Sequence, residues 1–142
     1  MKQNAKPSCD FAKEIPVAEA WLHDRAPGFV EVTKTPGYAV WAFTHPVLRE
    51  SLLELIDNPE ISQGGAVVAL SAKLWLRPPQ NLEEAYGLLR LGEWLTDCAV
   101  VYKEITNEGD LMLEGKFPVE ELSCARLDRL LRVLAEGLQY FT

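Results

Sequence analysis

The chain has 142 residues, 48% hydrophobic and 25% charged, with 21 acidic against 14 basic side chains and a formal net charge of −7. That length suits one domain spanning 1–142 that buries roughly two thirds of its unfolded surface, and the composition excludes wholesale disorder. The acidity repels phosphate backbones and anionic headgroups, so neither nucleic acid nor a membrane surface is expected as a partner.

Residues 1–13 carry Lys2, Lys6 and Lys13 with few apolar groups and read as a loose arm without the apolar core of a signal peptide. Nowhere is there a run of about 18 apolar residues, so no membrane span is expected. Ile15, Ala18, Trp21 and Leu22 fall at helical spacing and predict a short helix from Ile15 to His23, ended by Ala26-Pro27-Gly28. Phe29 to Lys34 and Tyr38 to Phe43 are rich in β-branched and aromatic residues and read as strands. Between them, Pro36 fixes φ at the first corner and Gly37 accepts positive φ at the second, which predicts a type II turn.

Pro46 then suits a first helical position, and Leu48, Leu52, Leu55 and Ile56 share one helical face, so a helix is expected over Pro46–Ile56, stopped by Asn58-Pro59. Ala66 to Leu76 alternates as a strand, with Val68, Leu70, Ala72, Leu74 and Leu76 on one side and Ser71 and Lys73 on the other. Pro78 and Pro79 end it, since two prolines cannot continue a ladder. Asn81, with Glu84 three residues on, predicts a capped helix running to about Leu95. Its apolar surface forms two stripes, Leu82-Ala85-Tyr86-Leu89 and Leu88-Leu91-Leu95, whereas a helix on a single sheet needs one stripe of roughly 100°. The second stripe wants either more of the same domain or a second subunit. Leu88, Leu91 and Leu95 are accordingly the candidate interface of a homodimer.

Asp97 to Ile105 and Leu111 to Phe117 read as a closing hairpin in which Gly109 supplies a positive-φ position. After Pro118, Ser123 is the expected N-cap of a helix whose stripe is Leu127, Leu130, Leu131, Leu134, Leu138 and Phe141. The fold class expected is α+β, a twisted antiparallel sheet of about five strands with helices packed on it.

Candidate chemistry is sparse. The cysteines, Cys9, Cys98 and Cys124, are odd in number and widely spaced, which fits neither a disulfide framework nor a zinc site. Cys98 and Cys124 are expected to pack as small hydrophobes, and reduced thiols point to the cytoplasm. Neither His23 nor His45 has a ligand or base partner at a recognisable spacing. Gly64-Gly65 lacks the residues of a phosphate loop, and Arg126, Arg129 and Arg132 are balanced by Glu120, Glu121 and Asp128. No catalytic residue, metal or cofactor is expected. Of the four tryptophans, Trp75 and Trp94 fall on the more polar sides of their elements and are the candidate partner-binding residues, with a partly buried core edge as the alternative.

The segment Asn107-Glu108-Gly109-Asp110, Leu111-Met112-Leu113, Phe117-Pro118-Val119-Glu120-Glu121-Leu122 and the terminal leucine stripe resembles the carboxy-terminal part of type III secretion chaperones of the Tir-chaperone group and of the related YbjN-like proteins. The likeness covers roughly residues 66–142 and is one of hydrophobicity and turns. It implies a homodimer with a twisted antiparallel sheet covered by helices, acting non-catalytically by holding an extended segment of another polypeptide. A second reading is a small enzyme or ligand-binding domain with a pocket near Cys98, Tyr102 and His45. A third is a protein of different role on the same architecture.

Overall fold

The computed structural model describes residues 10–57, 65–104 and 109–141. In chain order the elements are α1 (Glu14–Arg25), β1 (Val30–Thr35), β2 (Tyr38–His45), β3 (Arg49–Ile56), β4 (Val67–Lys73), α2 (Leu82–Gly92), β5 (Ala99–Lys103), β6 (Asp110–Pro118) and α3 (Cys124–Leu138), with 3-10 turns at Val119–Glu121 and Gln139–Phe141. The strands form one antiparallel sheet in the order β1-β2-β3-β4-β6-β5. The α+β class is as the sequence predicts, with six strands in place of about five.

The added strand comes from a correction. Pro46–Ile56 is no helix: Pro46-Val47-Leu48 is the loop of a hairpin, and Arg49–Ile56 pairs with β2 on one side and β4 on the other. A strand in mid-sheet is buried on both faces, so its apolar run loses the alternation that marks a strand. Two ladders then override the helical preference of leucine and glutamate. The loop is fastened by His45, whose Nδ1 accepts from the backbone N–H groups of Val47 and Leu48 at 3.0 and 3.3 Å. Burial lowers the His45 pKa, which favours the neutral ring that such an acceptor requires.

Other turns follow their chemistry. Gly37 has φ 83° beside Pro36, as a type II turn requires, and Thr35 pairs with Tyr38 across it. Gly109 supplies room, because a Cβ there would overlap the Tyr102 ring. Residues 105–108 of that hairpin lie outside the described residues.

One sheet face presents Trp41, Phe43, Leu53, Leu55, Val68, Leu70, Leu113 and Phe117, all buried, to α1 and α3. From α3, Leu127, Leu130 and Leu134 enter this core, and each leucine fully buried contributes about 1.5–3 kcal/mol. Gly115 lies where α3 presses on the sheet, for a Cβ there would collide with Leu130. Trp21 of α1 packs edge-on against Phe43 and donates its indole N–H to Asp128 Oδ1 of α3 at 2.9 Å. Arg25 closes a two-pronged pair on the same carboxylate, Nε to Oδ1 at 2.6 Å and Nη2 to Oδ2 at 2.7 Å. The arm expected over residues 1–13 needs trimming. Residues 1–9 lie outside the described residues, and Phe11 is wholly buried in the core.

Candidate functional site

With α1 and α3 on one face, the other face of the sheet becomes the first candidate surface. Here Lys103 on β5 makes ion pairs with Glu54 on β3 and Glu114 on β6. Three strand spacings would separate β3 from β5 by about 14 Å in a flat sheet, farther than the two side chains reach together. The sheet is therefore curled, and this face is its concave side. Glu54 and Glu114 are only 3% and 7% exposed. Tyr38 donates its hydroxyl to Glu54 Oε2 at 2.9 Å, and Ser71 donates to Glu114 Oε2 at 3.5 Å. Burial, then the charge of Glu54 and the hydrogen bond to it, push the Tyr38 pKa up. For Lys103, burial works to lower the pKa, but the hydrogen bonds to Glu114 and Glu54 outweigh it and the net shift is upward.

Beside this network the concave face holds a cavity of about 510 Å³. Val30, Ala42, Leu52 and Met112 give it an apolar lining. Thr44, Glu50, Lys73, Lys103 and Asp110 supply its polar groups. Lys73 Nζ stands 3.6 Å from Glu50 Oε2 and 3.4 Å from Asp110 Oδ1, beyond a well-made hydrogen bond, and 4.1 Å from the centroid of the Trp75 ring. The Arg49 guanidinium also lies over that ring, at 5.7 Å. Arg49 and Trp75 both have left-handed backbones, φ 64° and 59°, a conformation that costs a bulky residue about 1–2 kcal/mol. Trp75 is 54% exposed.

The second surface is α2. Asn81 caps it by accepting from the Glu84 N–H at 2.9 Å, as the sequence predicts, while the Glu84 carboxylate bonds Arg77 and the Gln80 N–H in place of the reciprocal cap. No residue of α2 is buried. Leu88, Leu91 and Leu95, expected to face a second subunit, are half-buried, and Leu88 and Leu95 pack on the domain's own core. The stripe left uncovered is the other one: Leu82, Tyr86 and Leu89 are each more than half exposed, followed by Trp94 at 68%. Trp94 and Tyr140 also border a cavity of about 640 Å³ between the end of α2 and the end of α3.

Both sheet edges are guarded. β1 is broken by a bulge between Glu31 and Thr33 and carries Lys34, while β5 turns Lys103 onto the concave face. Bulges and inward charges are the devices by which edge strands avoid pairing with other chains.

Cys98, Tyr102 and His45 do not converge. Cys98 lines the cavity at the end of α3, Tyr102 lies exposed over Gly109, and His45 fastens the β2–β3 loop. Burial pushes the Cys98 thiol up, away from the thiolate that a nucleophile needs. Cys124, expected to pack, is exposed at the first position of α3. Among the described residues no group of three or more His, Cys, Asp or Glu side chains could hold a metal ion, and no helix is long and apolar enough to cross a membrane. Sequence reasoning missed the Lys103–Glu54–Glu114 network. Its signal is a carboxylate flanked by core residues in a strand, as in Leu53-Glu54-Leu55, and reading Pro46–Ile56 as a helix concealed it. No protein-family model matches the chain, and no curated protein matches it.

Proposed function

We propose that the chain is a non-catalytic, homodimeric binding module of the cytoplasm that holds a segment of another polypeptide, in the manner of type III secretion chaperones. The observation that carries this reading is α2, a helix with apolar stripes on two sides, one on its own domain and the other, Leu82, Tyr86 and Leu89, in solvent. An uncovered apolar stripe on a helix is a protein contact in waiting. A second copy fits it in antiparallel order. Leu82 then meets the partner's Leu89, and Tyr86 lies near the two-fold axis. Glu83 meets the partner's Arg90 on the same flank, twice by symmetry. Succession of β1 to β4 without a helix between them adds support, because the first strands of those chaperones also run consecutively. Non-catalytic action is favoured by the titratable groups, for Cys98, Tyr38 and Lys103 are all shifted up, away from poised reactivity near neutral pH.

Sedimentation of the wild type should show a dimer, and Leu82→Asp with Leu89→Asp should yield a folded monomer with an unchanged circular-dichroism spectrum. A wild type that stays monomeric at high concentration refutes the dimer. Trp75→Ala should leave the thermal midpoint nearly unchanged while weakening capture of a partner by about 2 kcal/mol, as interface anchors do.

A further inference from the structure

The cavity on the concave face is walled by the whole sheet. Val30, Thr44, Leu52, Lys73, Lys103 and Met112 line it, one residue from each of β1, β2, β3, β4, β5 and β6 in turn. Strands β1 and β5 are the two edges, and five spacings would hold them about 24 Å apart in a flat sheet. That both edges reach one cavity of about 510 Å³ means the sheet wraps round it. Concavities of this size in rolled sheets, mostly apolar with a few polar groups, are where small molecules bind. Two of the four described non-glycine residues with left-handed backbones, Arg49 and Trp75, meet at its rim, where Lys73 of the lining also stands over the Trp75 ring. Strain of that kind gathers where a ligand is held.

The charges of the lining turn away an ionic guest. Each already has a counter-ion: Lys103 pairs with Glu54 and Glu114, and Lys73 stands between Glu50 and Asp110. A cation would have to displace Lys73, and an anion would have to strip it of both carboxylates. A charge brought out of water without a partner is costly. Of the neutral polar side chains, Ser51 donates its hydroxyl to the Arg49 carbonyl. Thr44 is exposed, and its hydroxyl makes no hydrogen bond to another described residue, which leaves one donor and two acceptor sites open.

We infer that the concave-face cavity binds an uncharged amphiphilic small molecule, its apolar body against Leu52 and Met112 and its hydroxyl or carbonyl on Thr44. The site shares no residue with the outer stripe of α2, so it stands independently of the dimer.

The test is fluorescence titration of the full chain with phenylnaphthylamine, an uncharged probe that is dim in water and bright in apolar surroundings. Emission should saturate at one probe per chain, and decanol should displace the probe at least about tenfold more effectively than decanoate or decylammonium. Leu52→Trp, which fills the cavity, should weaken probe binding at least about tenfold, whereas Leu82→Asp with Leu89→Asp, on α2, should leave it unchanged. Should Leu52→Trp prove unfolded by circular dichroism, Thr44→Trp, at an exposed position of the same lining, takes its place. Emission that never saturates, displacement by either ion as effective as by the alcohol, probe binding that survives the filled cavity, or its loss in the α2 variant overturns the inference. None of these results bears on the dimer, which sedimentation tests by itself.

Discussion

Helices α2 and α3 are both amphipathic, both capped by a side chain that accepts from the third N–H, and both apolar along a full stripe. Yet α3 buries Leu127, Leu130, Leu134 and Gly137, and α2 buries nothing. The difference lies in what each is given to pack against. For α3 the sheet is hollowed at Gly115, and Gly137 brings the helix so close that a Cβ there would press on Leu113 and the Cys98 sulfur. Helix α2 hangs beside edge strand β5, which covers one of its stripes in part. A stripe in a sequence declares that a partner exists, and only the number and shape of the other elements say whether that partner is within the chain.

The contrast is easiest to break with leucine. Leu130→Ala should cost about 2–5 kcal/mol, the range for a large side chain lost from a filled core. Leu89→Ala, measured by denaturation at a dilution where any dimer has dissociated, should stay within about 0.5 kcal/mol. Comparable losses would mean that α2 is core and that its outer stripe is no interface.

Next in size is the clasp that only α3 possesses. Asp128→Ala removes the acceptor of the fully buried Trp21 indole and the partner of Arg25, and should cost about 2 kcal/mol, the scale for stranding a buried donor. Chemical denaturation reads this directly, and a neutral result would show that α1 is held by packing alone.

The smallest effect is acid sensitivity of the same clasp. The hydrogen bond from Arg25 comes first among the causes that hold the Asp128 carboxyl below its ordinary value. A carboxyl depressed on folding contributes stability that is complete above the unfolded value near 3.8 and is lost as pH falls from there through the folded value. Asp128→Asn should therefore flatten part of the stability loss below about pH 4 relative to the wild type. An identical acid limb in both proteins would remove the carboxylate from the account.

Most of the frame was legible in the residues. Pro36-Gly37 announced its turn, Asn81 and Ser123 their caps, and the alternation from Val68 to Leu74 its strand, because in each case the local chemistry and the tertiary environment ask for the same thing. Legibility failed where they part. Leu52, Leu55 and Ile56 fit a helical face as well as a doubly buried strand, and only β2 and β4 arriving on either side decide between them. Phe11 looked like part of a polar arm because its burial depends on elements far along the chain. For the surfaces, two apolar stripes on one helix could be seen, and so could the exposure of Trp75 and Trp94. Which stripe faces outward was not visible, since that is set by where β5 and α3 come to rest. The concave-face network was further out of reach, for its three charged residues come from three strands and meet only once the sheet curls.

The strand order has a kinetic consequence. From β1 to β4 each strand pairs with its successor, so two thirds of the sheet needs only short hairpins and the link to β4. β6 instead pairs with β4, joining Val67 to Pro118 with all of α2 and β5 between them in the chain. Closing that loop costs entropy before any of its contacts give a return, so β4–β6 pairing is expected to lag behind the hairpins of β1 to β3. The amino-terminal meander would thus stand as a template on which the carboxy-terminal strands are laid.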